Sequence, residues 1–104
     1  MNPPETKSVH LLLSGLVQGV GFRYFTEDKA QELGVSGWVR NLRDGRVEVL
    51  VQGPPQSVAA LIPVLKRGPS QAIVQKVDMV ELELKEKLSP FCVVKTGERP
   101  WSEN

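Results

Sequence analysis

Apolar and polar positions divide the first third of the chain into a strand-like and a helix-like segment. The stretch from Val9 to Leu16 is largely apolar and runs into glycines, which is typical of a central strand buried on both faces. From Phe22 to Leu33 the apolar positions share one side of a helix, and Gly34 follows where a helix would end. The pattern therefore predicts a strand followed by a helix of about three turns.

Two short strand-like segments come next, from Trp38 to Leu42 and from Arg46 to Gln52. Between them lies Asp44-Gly45, a pair that supplies the left-handed backbone conformation of a tight hairpin. In the second segment alternate positions are apolar and share one face: Val47, Val49 and Val51. We expect an antiparallel hairpin here.

A second helix is predicted by apolar residues at i, i+3, i+4 and i+7, namely Val58, Leu61, Ile62 and Leu65. Gly68-Pro69 is placed to end this helix. Pro63 lies inside it and lacks the backbone N–H that a helix interior uses, so we expect a kink at this position.

The last third of the chain contains one long and one short strand-like segment. From Ala72 to Leu84 the apolar positions alternate, but their phase shifts between Met79 and Val80. Such a shift predicts a β-bulge near Met79. A final short strand is expected from Phe91 to Val94.

The order of these elements is βαββαβ with one further short strand. It indicates an α+β fold with an antiparallel sheet and both helices on one face, the ferredoxin-like arrangement. A chain of 104 residues has room for a single domain. We expect residues 1–104 to form one domain with its core at about residues 9–96, and polar tails at both ends, from Met1 to Lys7 and from Glu98 to Asn104, that few contacts hold.

Composition narrows the classes of partner. The formal charge is +1, from 13 basic and 12 acidic residues, and this provides no field for gripping a nucleic-acid backbone. The single cysteine, Cys92, cannot form an internal disulfide and fits a reducing compartment. The first apolar run is too short for a signal peptide or a membrane span. We expect a cytoplasmic protein with neither nucleic acid nor membrane as a partner.

The candidate chemistry lies between the first strand and the first helix, in Gln18-Gly19-Val20-Gly21-Phe22-Arg23. Glycines before a helix allow backbone amides to converge on an anion, although such glycines are more often plain turn residues. The loop lacks the Gly-Lys-Ser/Thr ending of a nucleotide-binding P-loop, so a single phosphate is the better match. An arginine at a helix start opposes the helix dipole, which indicates either a shared anionic ligand or a surface pair of Arg23 with Glu27.

Two longer segments resemble a known family. Gly15 to Arg23 reads G-L-V-Q-G-V-G-F-R, and Gly37 to Gly53 reads G-W-V-R-N-L-R-D-G-R-V-E-V-L-V-Q-G. They are similar to the two signatures of acylphosphatases, and the resemblance extends from about Val9 to Val94. It implies that Arg23 holds the phosphate together with five backbone amides, those of Gln18, Gly19, Val20, Gly21 and Phe22. It also implies that Asn41 orients the attacking water. Leu16 departs from the family pattern, which commonly has a basic or polar residue there.

The activity that this resemblance implies is hydrolysis of the carboxyl–phosphate bond of acyl phosphates, which releases a carboxylate and inorganic phosphate. The leaving group is a carboxylate with a pKa of about 4, so its expulsion needs little help from a general acid. We therefore expect a hydrolase that uses no metal and no cofactor and takes a small-molecule substrate. A length of 104 residues with two polar ends indicates a free-standing monomer.

Other functions remain open at this point. The same fold hosts non-catalytic regulatory modules that bind phosphate or small molecules. It also hosts RNA-recognition modules, but these need aromatic residues on their central strands, and Val9 to Gly15 and Arg46 to Gln52 contain none. An acylphosphatase-like domain also stands at the front of much larger carbamoyltransferases. The one histidine, His10, has no second ligand or nucleophile at a recognisable spacing, so we expect a structural role for it, and Cys92 is expected in the core.

Overall fold

Five strands and two helices make up the computed structural model, which describes residues 5–101. Their bounds are β1 Lys7–Leu16, α1 Phe22–Leu33, β2 Ser36–Asn41, β3 Val47–Gly53, α2 Pro55–Arg67, β4 Ile73–Leu82 and β5 Cys92–Val93. The predicted order of elements is confirmed, and α1 has the predicted bounds. No helix in the described part of the chain is long and apolar enough to cross a membrane.

The strands form one sheet in the order β4-β1-β3-β2-β5. Pairs β1–β3, β1–β4 and β2–β3 are antiparallel, whereas β5 pairs with β2 in parallel. The predicted antiparallel sheet is thus correct for four strands, and the short fifth strand differs. Because β1 and β2 both run antiparallel to β3, the loop after β1 and the end of β2 lie at the same end of the sheet.

Both helices pack on one face of the sheet, where alternate strand residues form the core. The contributions of the central strands are Val9, Leu11 and Leu13 from β1 and Val47, Val49 and Val51 from β3. The helices contribute Phe22 and Ala30 from α1 and Val58, Leu61 and Leu65 from α2. This burial is the main stabilising term of the fold, and it matches the predicted apolar faces.

The β-bulge predicted near Met79 is wrong. Pairing of β1 with β4 is regular there, with Leu11 opposite Met79, and the irregularity lies instead between Ser14 and Gly15. Met79 and its neighbour Val80 point to opposite faces of an edge strand and are 48% and 55% exposed. Since neither face of β4 is fully covered at this point, burial does not dictate which face is apolar, and the pattern changes phase without any change in pairing.

Helix α2 continues through Pro63, from Pro55 to Arg67. Pro63 is exposed on the outer side of the helix. The kink at this residue stays a prediction.

On the other face of the sheet, four residues surround a buried carboxylate and form what we call the open-face cluster: His10, Arg40, Glu48 and Trp101. Glu48 is completely buried. Its carboxylate accepts hydrogen bonds from His10 Nε2 at 2.7 Å, Arg40 Nε at 2.6 Å and the Trp101 backbone N–H at 2.6 Å. His10 is therefore structural in this fold, as predicted. The prediction that few contacts hold the segment after residue 97 is wrong for residues 98–101, because Glu48 accepts a hydrogen bond from the Trp101 N–H and Arg40 donates one to the Arg99 carbonyl oxygen.

The environment of Glu48 alters its acid–base behaviour. Burial alone raises the pKa of the carboxyl group, but the bonds from His10, Arg40 and the Trp101 N–H outweigh burial and lower the pKa below its ordinary value of 4.5. A carboxyl group whose pKa is lower in the folded state stabilises the fold above its unfolded-state pKa. That contribution is lost as the pH falls through the folded-state pKa.

We expect Glu48→Gln to lower the free energy of unfolding by about 1–3 kcal/mol near neutral pH, because buried donors lose their charged acceptor. Below a pH of about 4.5 the gap between the variant and the wild type should narrow, since the wild type loses the same charge by protonation. Urea unfolding at several pH values measures this. Glu83→Gln, at an exposed glutamate, is the matched control, and a gap that stays constant down to low pH would contradict the expectation.

Candidate active site

The loop between β1 and α1 ends at a helix start that no side chain caps. Gly21 is the N-cap residue of α1, with a left-handed φ of 78° that disfavours other residues. The first backbone bond into the helix runs from the Phe25 N–H to the Gly21 carbonyl oxygen, at 3.0 Å. The N–H groups of Phe22, Arg23 and Tyr24 therefore have no partner within the helix, and no acidic residue occupies its first turn. This end of α1 attracts an anion.

Arg23 lies in the first turn of α1, and no acidic side chain pairs with it in the part of the chain that the structure describes. Glu27, the alternative partner, instead accepts the backbone N–H of Val93 at 3.2 Å. The guanidinium carbon lies 5.8 Å from the centre of the Tyr24 ring. An ion pair between Arg23 and Glu27 is therefore not the reason for the arginine.

Asn41 is the last residue of β2 and lies opposite Val47, on the face of the sheet that carries the helices. Its side-chain oxygen Oδ1 is buried and has no hydrogen-bond partner among the described residues. Buried polar atoms almost always have a partner in the protein or in ordered water. An unpartnered acceptor of this kind is suited to hold a water molecule or a ligand donor.

One cavity of about 170 Å³ connects these features. Its lining is Val17, Gln18, Gly19, Gly21, Phe22, Arg23, Tyr24 and Asn41. The structure thus brings together both predicted catalytic residues and all but one of the residues predicted to bind phosphate. The exception is Val20, which packs against the core.

Val17 and Tyr24 also line this cavity, although neither was among the predicted site residues. Tyr24 is 64% exposed beside Arg23, and its position next to the arginine was the one available signal. A larger depression of about 570 Å³ lies at the other end of β1. The smaller cavity is the better candidate because it combines uncapped amides, an uncompensated cation and a buried acceptor.

The side chain of Gln18 joins the loop to the β2–β3 hairpin. Its Nε2 group donates to the carbonyl oxygens of Leu42, at 2.8 Å, and Arg46, at 2.9 Å. Both protons of the amide are used in this way. The Gln18 side chain therefore sets the position of the loop relative to the strand that carries Asn41. The contact of its backbone amide with phosphate stays a prediction.

The three arginines around the hairpin all have acidic partners. Arg40 pairs with Glu48, Arg43 with Glu98 and Arg46 with Asp44, at 2.6, 2.7 and 2.6 Å. The side-chain bond from Arg46 lowers the pKa of Asp44. Among residues 5–101 all three hairpin arginines are thus paired with a carboxylate, whereas Arg23 is not.

Within residues 5–101 no group of three or more His, Cys, Asp or Glu side chains is placed to hold a metal ion. Cys92 lies in β5 and is half-buried rather than in the core.

Comparison with known proteins shows the family. A family model described as Acylphosphatase matches residues 9–93. An acylphosphatase of Marinobacter nauticus is 49% identical over 82 residues, which are 79% of this chain and 89% of that protein.

Solved structures agree with this match. The crystal structure of acylphosphatase from Bacillus subtilis has a TM-score of 0.82 at 34% identity and covers 85% of this chain and 98% of that chain. The structure of an acylphosphatase from Coxiella burnetii has a TM-score of 0.78 at 38% identity and covers 88% of this chain and 93% of that chain.

The matched region contains both signature segments and every residue that lines the cavity. It also contains the two helices and most of the sheet. The chain belongs to the acylphosphatase family, and it is an enzyme that hydrolyses acyl phosphates.

Proposed function

We propose that the 170 Å³ cavity is the active site, that Arg23 and the loop amides hold the phosphoryl group there, and that Asn41 orients the attacking water. The observation that carries this proposal is the presence, in one cavity, of an arginine without an ion pair and a buried oxygen without a hydrogen-bond partner among residues 5–101. The arginine is complementary to the negative charge of the phosphoryl group. The buried oxygen, Oδ1 of Asn41, can accept a hydrogen bond from water, the neutral nucleophile.

Binding of the phosphoryl group uses charge that the fold has already placed. In the transition state, negative charge spreads over the equatorial oxygens of the transferring group. The N–H groups at the start of α1 and the guanidinium of Arg23 can donate to these oxygens without reorganising, and an arginine can do so through two parallel bonds. Phosphate binding by the loop from Gln18 to Arg23 is part of this proposal.

Asn41 would accept a hydrogen bond from water through Oδ1, which directs a lone pair of the water toward phosphorus. Fixing the nucleophile in line with the leaving group removes much of the entropic cost of the reaction. A neutral amide does this without competing as a nucleophile and without repelling the phosphate.

The reaction would then need no further side chain. The bond between phosphorus and the acyl oxygen breaks, the carboxylate leaves with the electron pair, and the water oxygen forms the new bond to phosphorus. None of the lining residues carries a carboxyl or imidazole group, so we propose that a phosphate oxygen takes the proton from water. The carboxylate is a good enough leaving group to need no metal.

We also propose that the chain acts as a single-domain monomer in the cytoplasm, with no nucleic acid as a partner. One hydrophobic cluster unites the sheet with both helices, and the net charge is near zero.

The first experiment is hydrolysis of benzoyl phosphate by the purified chain in the presence of a metal chelator. We expect sustained turnover with no requirement for added metal. We also expect a pH–rate profile without an essential base in the range of about 5 to 7. Activity that disappears with chelator and returns with a divalent cation would overturn the metal-free mechanism, and an essential base in that range would overturn the proposed proton transfer.

A further inference from the structure

The backbone around Asn41 is held from both sides, and one of those sides is formed by the C-terminal segment. We call residues 95–101 the C-terminal strap. β3 pairs with β2 along one edge, as far as Asn41 opposite Val47. On the other edge β5 pairs only with Trp38 and Val39, so it ends short of Asn41.

Gly97 of the strap covers the part of this edge that β5 does not reach. The N–H of Gly97 donates to the carbonyl oxygen of Asn41 at 2.9 Å, and the carbonyl oxygen of Gly97 accepts the N–H of Arg43 at 3.0 Å. Gly97 thus forms a parallel bridge beside Leu42 and brackets the two peptide groups that follow Asn41. These bonds limit how the end of β2 can turn, and with it the direction of the Asn41 side chain.

The strap is itself anchored on the open-face cluster. Gly97 lies directly against the guanidinium of Arg40, where a β-carbon would come within 2.5 Å of Cζ. Arg40 also donates to the carbonyl oxygen of Arg99 at 3.2 Å, and the Trp101 N–H donates to Glu48 at 2.6 Å. The buried carboxylate of Glu48 therefore holds the strap at its end directly and in its middle through Arg40.

We propose that the C-terminal strap is a positioning element for the reaction, and that the N–H of Gly97 keeps Asn41 in the orientation that directs water. The strap lies beyond residues 9–93, the region that the family model matches, so this device belongs to the chain's own C-terminal segment. The inference rests on the proposed role of Asn41. Gly97 does not line the cavity and would act only through the strand.

The test compares Gly97→Pro with Gly97→Ala. Both variants place a β-carbon against Arg40, but only proline removes the N–H that bonds to Asn41. Because a displacement of about 1 Å at a catalytic group can cost about 10²-fold in rate, we expect kcat of the proline variant to be about tenfold or more below that of the alanine variant. The KM for benzoyl phosphate and the inhibition constant of inorganic phosphate should agree within about twofold, since the cradle is untouched. Equal kcat values for the two variants would overturn the proposal.

A double-mutant cycle separates positioning from a general loss of structure. In an Asn41→Ala background, Gly97→Pro should lower kcat no further, because the group that it positions is absent. If Gly97→Pro costs the same factor in both backgrounds, the strap does not act through Asn41. If Asn41→Ala alone leaves kcat intact, the proposed role of Asn41 fails and the strap proposal fails with it. If Asn41→Ala lowers kcat but the strap variants keep full kcat, the strap proposal fails and the proposed role of Asn41 stands.

A second pair decides the matter if Gly97→Pro does not fold. Trp101→Pro removes the N–H that bonds to Glu48, whereas Trp101→Ala removes the indole ring and keeps that N–H. A lower kcat for Trp101→Pro than for Trp101→Ala, with KM unchanged, supports the proposal. Equal kcat values for this pair overturn it.

Discussion

Replacing Arg23 by alanine is expected to lower kcat/KM for benzoyl phosphate by at least about 10³-fold. Loss of a single donor that stabilises an oxyanion typically costs about 10²–10³-fold. Arg23 supplies a full charge as well as two bonds, and a transition-state arginine in phosphoryl transfer is worth about 10³–10⁵-fold. No carboxylate in residues 5–101 neutralises it, so its field acts on the cavity undiminished.

Inorganic phosphate should inhibit the Arg23→Ala variant much more weakly than the wild type, since the same group binds product. Arg23→Lys keeps the charge but loses the planar pair of donors, and we expect intermediate activity from it. Arg67→Ala, at an exposed arginine at the end of α2, is the control for the loss of one positive charge. A variant without Arg23 that retained nearly full kcat/KM would show that the phosphate binds elsewhere.

Replacing Asn41 by alanine is expected to lower kcat by about 10²–10³-fold while the inhibition constant of phosphate changes by less than about threefold. The reason lies in what the side chain does in the free protein. Its Oδ1 is buried and has no partner in the part of the chain that the structure describes, so its removal takes away a site for water and leaves the phosphate donors in place. Steady-state kinetics with benzoyl phosphate and phosphate inhibition measure the two quantities separately.

Gln56→Ala, at an exposed amide in α2, is the matched control for Asn41→Ala. Thermal unfolding of both variants should show that each retains the fold. If Asn41→Ala abolished phosphate binding and spared turnover, the roles of Asn41 and the cradle would have to be exchanged.

Local patterns in the sequence predict most of the elements. The bounds of α1 agree with the prediction because glycines stand at both ends, Gly21 before it and Gly34 after it, each with a left-handed φ. The end of α2 at Gly68 follows from the same kind of signal. The apolar face of β3 follows from strict alternation. These signals work because they depend on residues that are close in sequence.

The pattern of apolar and polar residues gave a wrong prediction for β4, because the rest of the protein does not bury one defined face of this strand. β4 is an edge strand with both faces partly exposed, so the phase of its apolar residues carries no information about pairing with β1. The irregularity lies where Ser14 pairs with Lys76 and Gly15 with Val74, so the residue without a partner is Gln75 of β4, four positions before Met79. The docked C-terminal strap was missed for a related reason, since its composition is polar and its acceptor, Glu48, is distant in sequence.

For the candidate site, too, some features follow from the sequence and others from the tertiary structure. The sequence by itself determined the residue types and their spacing: a glycine-containing loop that leads into a helix, Arg23 at its start, and an asparagine in the second signature. It also determined, through the resemblance, the family and the chemistry to expect.

Only the tertiary structure decided which of those groups are free to act. It separated Glu27 from Arg23, and it buried Oδ1 of Asn41 with no partner among the residues described. It also used Gln18 to join two loops and placed Gly97 beside the end of β2. Each of these outcomes depends on contacts between residues far apart in the chain. Whether a polar group is satisfied or available is a property of its surroundings, and those surroundings exist only after the strands have paired and the helices have packed.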